Sequence, residues 1–176
     1  MILKVARLGH PVLRQIAEPV PPGHITSREV QAFIDDLIET MYEYDGAGLA
    51  APQVHVSQQI VVMEVSENPR YPTAPAIPLT VYVNPEITPL TDNMDEDWEG
   101  CLSVPGLRGR VPRYTKIRLR AYDRKGKRID FVTEGFHARV IQHECDHLQG
   151  KVYLDRMRDM SSLTFMEEFM KYGLRE

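Results

Sequence analysis

Only two cysteines occur in the 176 residues, Cys101 and Cys145, so no disulfide framework braces this chain. Reduced thiols in a cytosolic setting are the expectation. Long apolar runs are also missing. The densest, Ile60 to Met63, is far too short to span a bilayer, and no membrane association is expected. The opening MILKVARLGHPVLRQ contains no apolar stretch like a signal-peptide core and lacks the Ser/Arg-rich character of a transit segment. A cytoplasmic, bacterial-type protein is therefore expected. Strong charge of one sign is absent too. A net charge of -4 and a pI near 5.9 suit a soluble protein and argue against sequence-specific nucleic-acid binding. No internal repeat is present. With 43% hydrophobic residues and this length, one domain over residues 1–176 is expected.

What is there reads as α+β. Thr26 and Glu29 fit a capping box. Val30, Phe33, Ile34, Leu37, Ile38 and Met41 follow at helical spacing, and the helix should stop at Gly46. Gln59–Val65 and Thr80–Val83 read as buried strands. Between them, residues 66–79 carry proline at 69, 72, 75 and 78, which suits an extended surface loop and not a central strand. Lys116–Asp123 and Arg128–Thr133 alternate like two strands about the turn Arg124–Lys127. Thr133 is placed to cap a helix running to about Gln149, with Gly150 as its stop. A short strand near Val152–Leu154 and a final helix over Ser161–Tyr172 complete the expectation. The central helix should pack against mostly antiparallel sheet, flanked by an N-terminal amphipathic helix and a C-terminal helix.

The strongest local signal is His143-Glu144-Cys145-Asp146-His147. Residues four apart lie one turn apart on one helix face, so both imidazoles can reach one ion. The bland alternative is two helical histidines beside an exposed glutamate. The third ligand is open on spacing alone. In the extended pattern HExxHxxGxxH, Gly150 is in place but Tyr153 stands where the last histidine must be. Glu167 and Glu168 qualify by distance but lie in what reads as an ordinary amphipathic helix. Cys101 is the remaining soft ligand, and it would leave a fourth position for water. A lone cysteine is otherwise most often a small buried hydrophobe. Cys145, about 200° round the helix from His143, should point away from the ion. Asp146 and Gln142 flank the ligands as candidates to orient them, with a helix salt bridge the alternative for Asp146. His10, His24, His55 and His137 have no ligand spacing.

Three segments stand in order: Gly46-Ala47-Gly48-Leu49-Ala50-Ala51-Pro52-Gln53, Glu99-Gly100-Cys101-Leu102-Ser103 and Gln142-His143-Glu144-Cys145-Asp146-His147-Leu148. Together they resemble the three signature motifs of the peptide deformylases. The likeness extends to GHPVLRQIAEPV, VPGLRGRVPR and DHLQGKVYLDRM. It implies that Cys101, His143 and His147 hold one divalent metal ion per chain, Fe2+ natively, with Zn2+, Ni2+ or Co2+ able to substitute. It further implies hydrolysis of the N-terminal formyl group of formyl-methionyl nascent peptides. Water activated by the ion attacks, Glu144 serves as general base and then acid, and the Gln53 amide and Leu102 N–H stabilise the oxyanion. The peptide would lie along Gly46, Ala47, Gly48, Glu99 and Gly100, its methionine entering a pocket at Phe136, Arg139, Val140 and His143. Arg139 departs from the aliphatic residue common in the family. Its methylenes are expected to wall the pocket while its guanidinium stays in water.

Two other readings share this machinery: a metallopeptidase or aminoacylase of other specificity, and a non-catalytic metal module. The module needs a fourth protein ligand, and Glu99 is the nearest acid to Cys101. A dense basic stretch also runs from Arg108 to Arg128, with Asp123 its only acid. Lys116, Arg118 and Arg120 share one strand face there. That face is either plain solvated surface or a docking site for the ribosome.

Overall fold

The apolar run expected as a buried strand is covered on both sides, and this sets the layering. The computed structural model describes residues 1–69 and 71–173. Five strands, β1 (Gly48–Ala50), β2 (Ile60–Val65), β3 (Ile77–Pro89), β6 (Lys116–Tyr122) and β7 (Arg128–Glu134), form one sheet in the order β1-β2-β3-β6-β7. Three more, β4 (Met94–Cys101), β5 (Val104–Tyr114) and β8 (Thr164–Phe165), form a second in the order β4-β5-β8. All pairings within these sheets are antiparallel. Helix α1 (Arg28–Glu43) packs Ile34, Leu37 and Met41 with Ile60 and Val62 on one face of the larger sheet. Helix α2 (Gly135–Leu148) packs Ala138, Ile141 and Leu148 with Val61, Met63 and Leu119 on the other. Each of those fully buried large aliphatic side chains contributes roughly 1.5–3 kcal/mol. This is the expected α+β arrangement, with α2 in the centre.

Several boundaries differ from the sequence expectation, each for a local reason. Ser27, not Thr26, caps α1, accepting a hydrogen bond from Val30 N at 3.3 Å. The helix ends at Glu43, and Asp45 takes the left-handed turn at φ 52°, one residue before Gly46. Thr133 stays in β7, and α2 follows Glu134 with Gly135 at φ 65°. Gly150, at φ 70°, does mark the far end. Pro78 and Pro85 lie inside β3, each at a break in its pairing, where a missing N–H costs no ladder bond. Val152–Leu154 is not a strand but the entry to a 3-10 turn, Tyr153–Arg156. In place of a helix over Ser161–Tyr172 the described chain forms β8, a single helical turn α3 (Met166–Glu168) and a π-turn at Phe169–Gly173.

The β4–β5 hairpin had no counterpart in the sequence reading. The acidic stretch Met94–Cys101 pairs with the basic stretch Val104–Tyr114, so Asp95 opposes Arg113 and Trp98 opposes Arg110. The two charge clusters are the halves of one hairpin. An extended N-terminal strap crosses beside it: Ala6 N donates to Gln53 O at 2.7 Å and Leu8 N to Ser103 O at 2.8 Å.

Candidate metal centre

Helix geometry sets the first two groups. His143 and His147 lie one turn apart on the inner face of α2, with ring centroids 5.3 Å apart. Cys101 ends β4 opposite them, and its Sγ lies 3.4 Å from His147 Nε2. Among the described residues, Cys101, His143 and His147 are the cluster able to hold a metal ion, their donor atoms all within 4.8 Å of one another and all three buried. Burial opposes the Cys101 thiolate, yet His147 and His143 outweigh it and hold the thiol well below its ordinary range. A thiolate with two imidazoles fits a catalytic divalent ion and leaves a coordination position for a small molecule.

Glu144 reaches into the same space. It is buried, and its Oε2 has no hydrogen-bond partner among the described residues. Burial raises its carboxyl above the usual glutamate range, against the pull of His143 and His147. Gly48 makes room for it. A Cβ there would fall 2.6 Å from Glu144 Oε1 and 2.8 Å from its Cδ. The glycine therefore accommodates the Glu144 side chain, not a neighbouring backbone. Gly46 does not line the cavity; it sits behind Leu102, whose Cδ1 is 3.0 Å from the position of a Cβ.

Gln53 is fixed by its own turn. Its Oε1 accepts from Ala50 N at 2.9 Å, which leaves the NH2 to point at Ser103 Oγ, 3.1 Å away, and Cys101 Sγ, 3.4 Å away. Cys101, Leu102, Gln53 and Glu144 thus converge on one cavity. Ala47, Gly48, Glu99, Gly100, Phe136, Arg139, Val140 and His143 also line it, as expected. Tyr71, from the proline-bearing loop, and Trp98 line it as well. No spacing or motif distinguished those two beforehand. Tyr71 stands 5.6 Å from Phe136, ring to ring, and the Arg108 guanidinium lies over the Tyr71 ring, 4.9 Å from its centroid.

Around the ligands the charges are paired. Glu99 is 3% exposed, and its Oε1 lies 2.7 Å from His143 Nδ1. Burial works against its charge, but Arg113 and then His143 outweigh that and hold the carboxyl well below the usual range. Glu99 therefore fixes the His143 ring and is not itself one of the clustered donors. Arg139 is a correction. Its guanidinium is not in water: at 7% exposure it donates to Glu99 Oε2 at 2.7 Å, Val111 O at 2.7 Å and Asp95 O at 2.8 Å. Asp146 serves neither histidine and binds Arg113 and Arg156. Gln142 clips α2 to β5, exchanging two hydrogen bonds with the Tyr114 backbone. Cys145 packs on the far side of α2, where burial pushes its thiol up. Tyr153, in the place of the missing third histidine, stacks on His143 with the ring planes 18° apart.

The sequence profile of the polypeptide deformylase family matches residues 2–162. The chain belongs to that family. Peptide deformylase 1 of Bordetella pertussis is 51% identical over 95% of this chain and 94% of its own. A class I type b peptide deformylase of Acinetobacter baumannii, solved with Met-Ala-Ser bound, superposes with a TM-score of 0.86. It shares 39% identity over 89% of this chain and 99% of its own. A Legionella pneumophila peptide deformylase covers 100% of this chain at TM-score 0.79 and 34% identity. Among the described residues, no helix is long and apolar enough to cross a membrane.

Proposed function

We propose that this chain removes the formyl group from formyl-methionyl peptides of newly made proteins in the bacterial cytoplasm, and that residues 1–176 are one catalytic domain. The observation that carries the reading is a buried Cys101, His143 and His147 cluster beside one cavity, which Cys101, His143, the Glu144 carboxylate and the Gln53 amide line together. Cys101, His143 and His147 would hold the metal, with ferrous iron our choice for the native ion. Thiolate and imidazole donors accept iron, zinc, nickel or cobalt alike. Once bound, such an ion supplies Lewis acidity for water and for the formyl carbonyl.

The remaining steps fall to the chain's own groups. Glu144, whose carboxyl burial raises above the usual glutamate range, takes a proton from the attacking water as the new C–O bond forms. It returns that proton to the amine nitrogen as the C–N bond breaks, releasing formate and the free peptide. The Gln53 NH2 and the Leu102 backbone N–H donate to the oxygen that gains charge. The peptide would run past Ala47, Gly48 and Gly100, with Gly46 behind them and out of its reach. The side chain of its methionine would enter between Phe136 and Val140, with Tyr71 and Trp98 as further apolar walls. The Met-Ala-Ser ligand of the Acinetobacter relative has the form of such a product.

The test is a paired assay on metal-loaded protein. Formyl-Met peptides should be cleaved with formate release, and acetyl-Met peptides about 10–200-fold less efficiently, the scale of one unaccommodated methyl group. Equal rates would identify a general aminoacylase or peptidase. Metal analysis of anaerobically purified protein tests the choice of iron.

For contact with the ribosome, where formylated chains emerge, the candidate surface is the Lys116, Arg118 and Arg120 face of β6. Arg118 and Arg120 already share Asp130, and Lys116 stands opposite Glu134. Changing all three to Gln should reduce co-sedimentation with ribosomes at low salt and leave turnover of short peptides intact. Equal co-sedimentation would return the face to a cross-strand charge ladder.

A further inference from the structure

Arg139 is the least expected member of the site. Glu99 receives four hydrogen bonds. His143 Nδ1 lies 2.7 Å from Oε1, Arg113 donates to Oε1 and Oε2 at 2.9 Å each, and Arg139 donates to Oε2 at 2.7 Å. The two arginines are not equivalent. Arg113 divides its charge, because its Nη1 also binds Asp146 Oδ2 at 2.6 Å. Arg139 has no second carboxylate among the described residues. Its other bonds go to the Val111 and Asp95 carbonyl oxygens. Arg113 alone would still hold Glu99 in place with its two-pronged grip, so the second cation is not required for orientation.

A carboxylate that accepts the outer N–H of a ligating imidazole makes that imidazole a stronger donor to metal. Cations on the same carboxylate draw its electron density the other way. We propose that Arg139 is a positioning residue that weakens the pull of Glu99 on His143, and so limits how tightly His143 and its partners hold their metal. A ligand left fully electron-rich would give a tighter but less acidic ion. The inference rests on the metal cluster and not on the formyl reading, so a protein inactive on formyl-Met would leave it standing.

The test measures metal release. Zn2+- or Co2+-loaded parent, Arg139→Met and Arg139→Lys proteins are mixed with excess chelator and the loss of metal is followed. Arg139→Met should release its ion more slowly than the parent, toward the roughly tenfold change that partners outside the ligand set produce. Its His143 Nδ1–H proton resonance should move downfield as that hydrogen bond strengthens. Arg139→Lys, which keeps the charge, should restore both. Where Arg139→Met does not fold, Arg139→Gln keeps an uncharged donor for the two carbonyls and gives the same comparison. Metal lost faster or at the parental rate from the uncharged variants, or slow release that Lys does not correct, overturns the proposal and leaves Arg139 a brace between α2, β4 and β5.

Discussion

Gly48 and Glu144 are a fitted pair, because the space a side chain would need at 48 is filled by the carboxylate. Gly48→Ala should therefore displace Glu144 and not the backbone. The expected result is a loss of turnover on the order of a hundredfold, the usual consequence of a misplaced reacting group, with metal content unchanged. Glu144→Gln should likewise fold and bind metal yet turn over at least about a hundredfold more slowly. Near-parental rates in metal-loaded samples would remove Glu144 from the chemistry. The two histidines were legible in the sequence because helical spacing dictates that residues four apart share a face. Glu99 and Arg139 were not legible in the same way. Spacing cannot say which of several acids a buried arginine will meet, and the meeting is made by β4, β5 and α2 together.

At the scale of elements, α1, α2 and the apolar strands β2, β3, β6 and β7 could be read off because their periodicity is their burial pattern, whereas the same pattern over Ser161–Tyr172 did not make a helix. β4 could not. Met94 to Asp97 are all exposed and the last three are acidic, so the strand lacks the alternation that marks a half-buried sheet. β1, three residues long, is too short for any period to show. Turn chemistry was clearer, and Gly150 offers the sharpest test. Its φ of 70° is reinforced by Arg14 O, 2.6 Å from where a Cβ would sit. Gly150→Ala should destabilise the fold by about 2 kcal/mol or more, since strain and a backbone clash add. Chemical denaturation measures this, and the specific activity of the remaining folded protein should be close to normal. A change within about 0.5 kcal/mol would show that the junction after α2 yields easily.

Across the whole molecule, the proposed ligands come from both layers. Cys101 belongs to the smaller sheet, while His143 and His147 lie on the helix that covers the larger one. Metal should therefore clamp one layer to the other, and stripping it should lower the melting temperature as well as activity. At a thousandfold excess over its dissociation constant, a ligand specific for the folded state adds about 4 kcal/mol. Cys101→Ala and His147→Ala should lose both metal and that increment, and Cys145→Ala should keep both. A Cys145→Ala protein without metal, beside a loaded Cys101→Ala, would overturn the ligand set. Calorimetry with and without chelator, paired with metal analysis, separates these outcomes.

The N-terminal strap has a consequence of its own. Ala6 and Leu8 are tied to two different loops, one carrying Gln53 and one following Cys101 and Leu102. The two anchors are two residues apart, so a stretch of extended chain of about 7 Å works as a spacer gauge between those loops. Deleting Arg7 would shorten that gauge by about 3.5 Å without touching any residue of the cavity. The loops would be drawn out of alignment and the Gln53 amide with them, leaving a protein that still loads metal but meets its peptide with the wrong span.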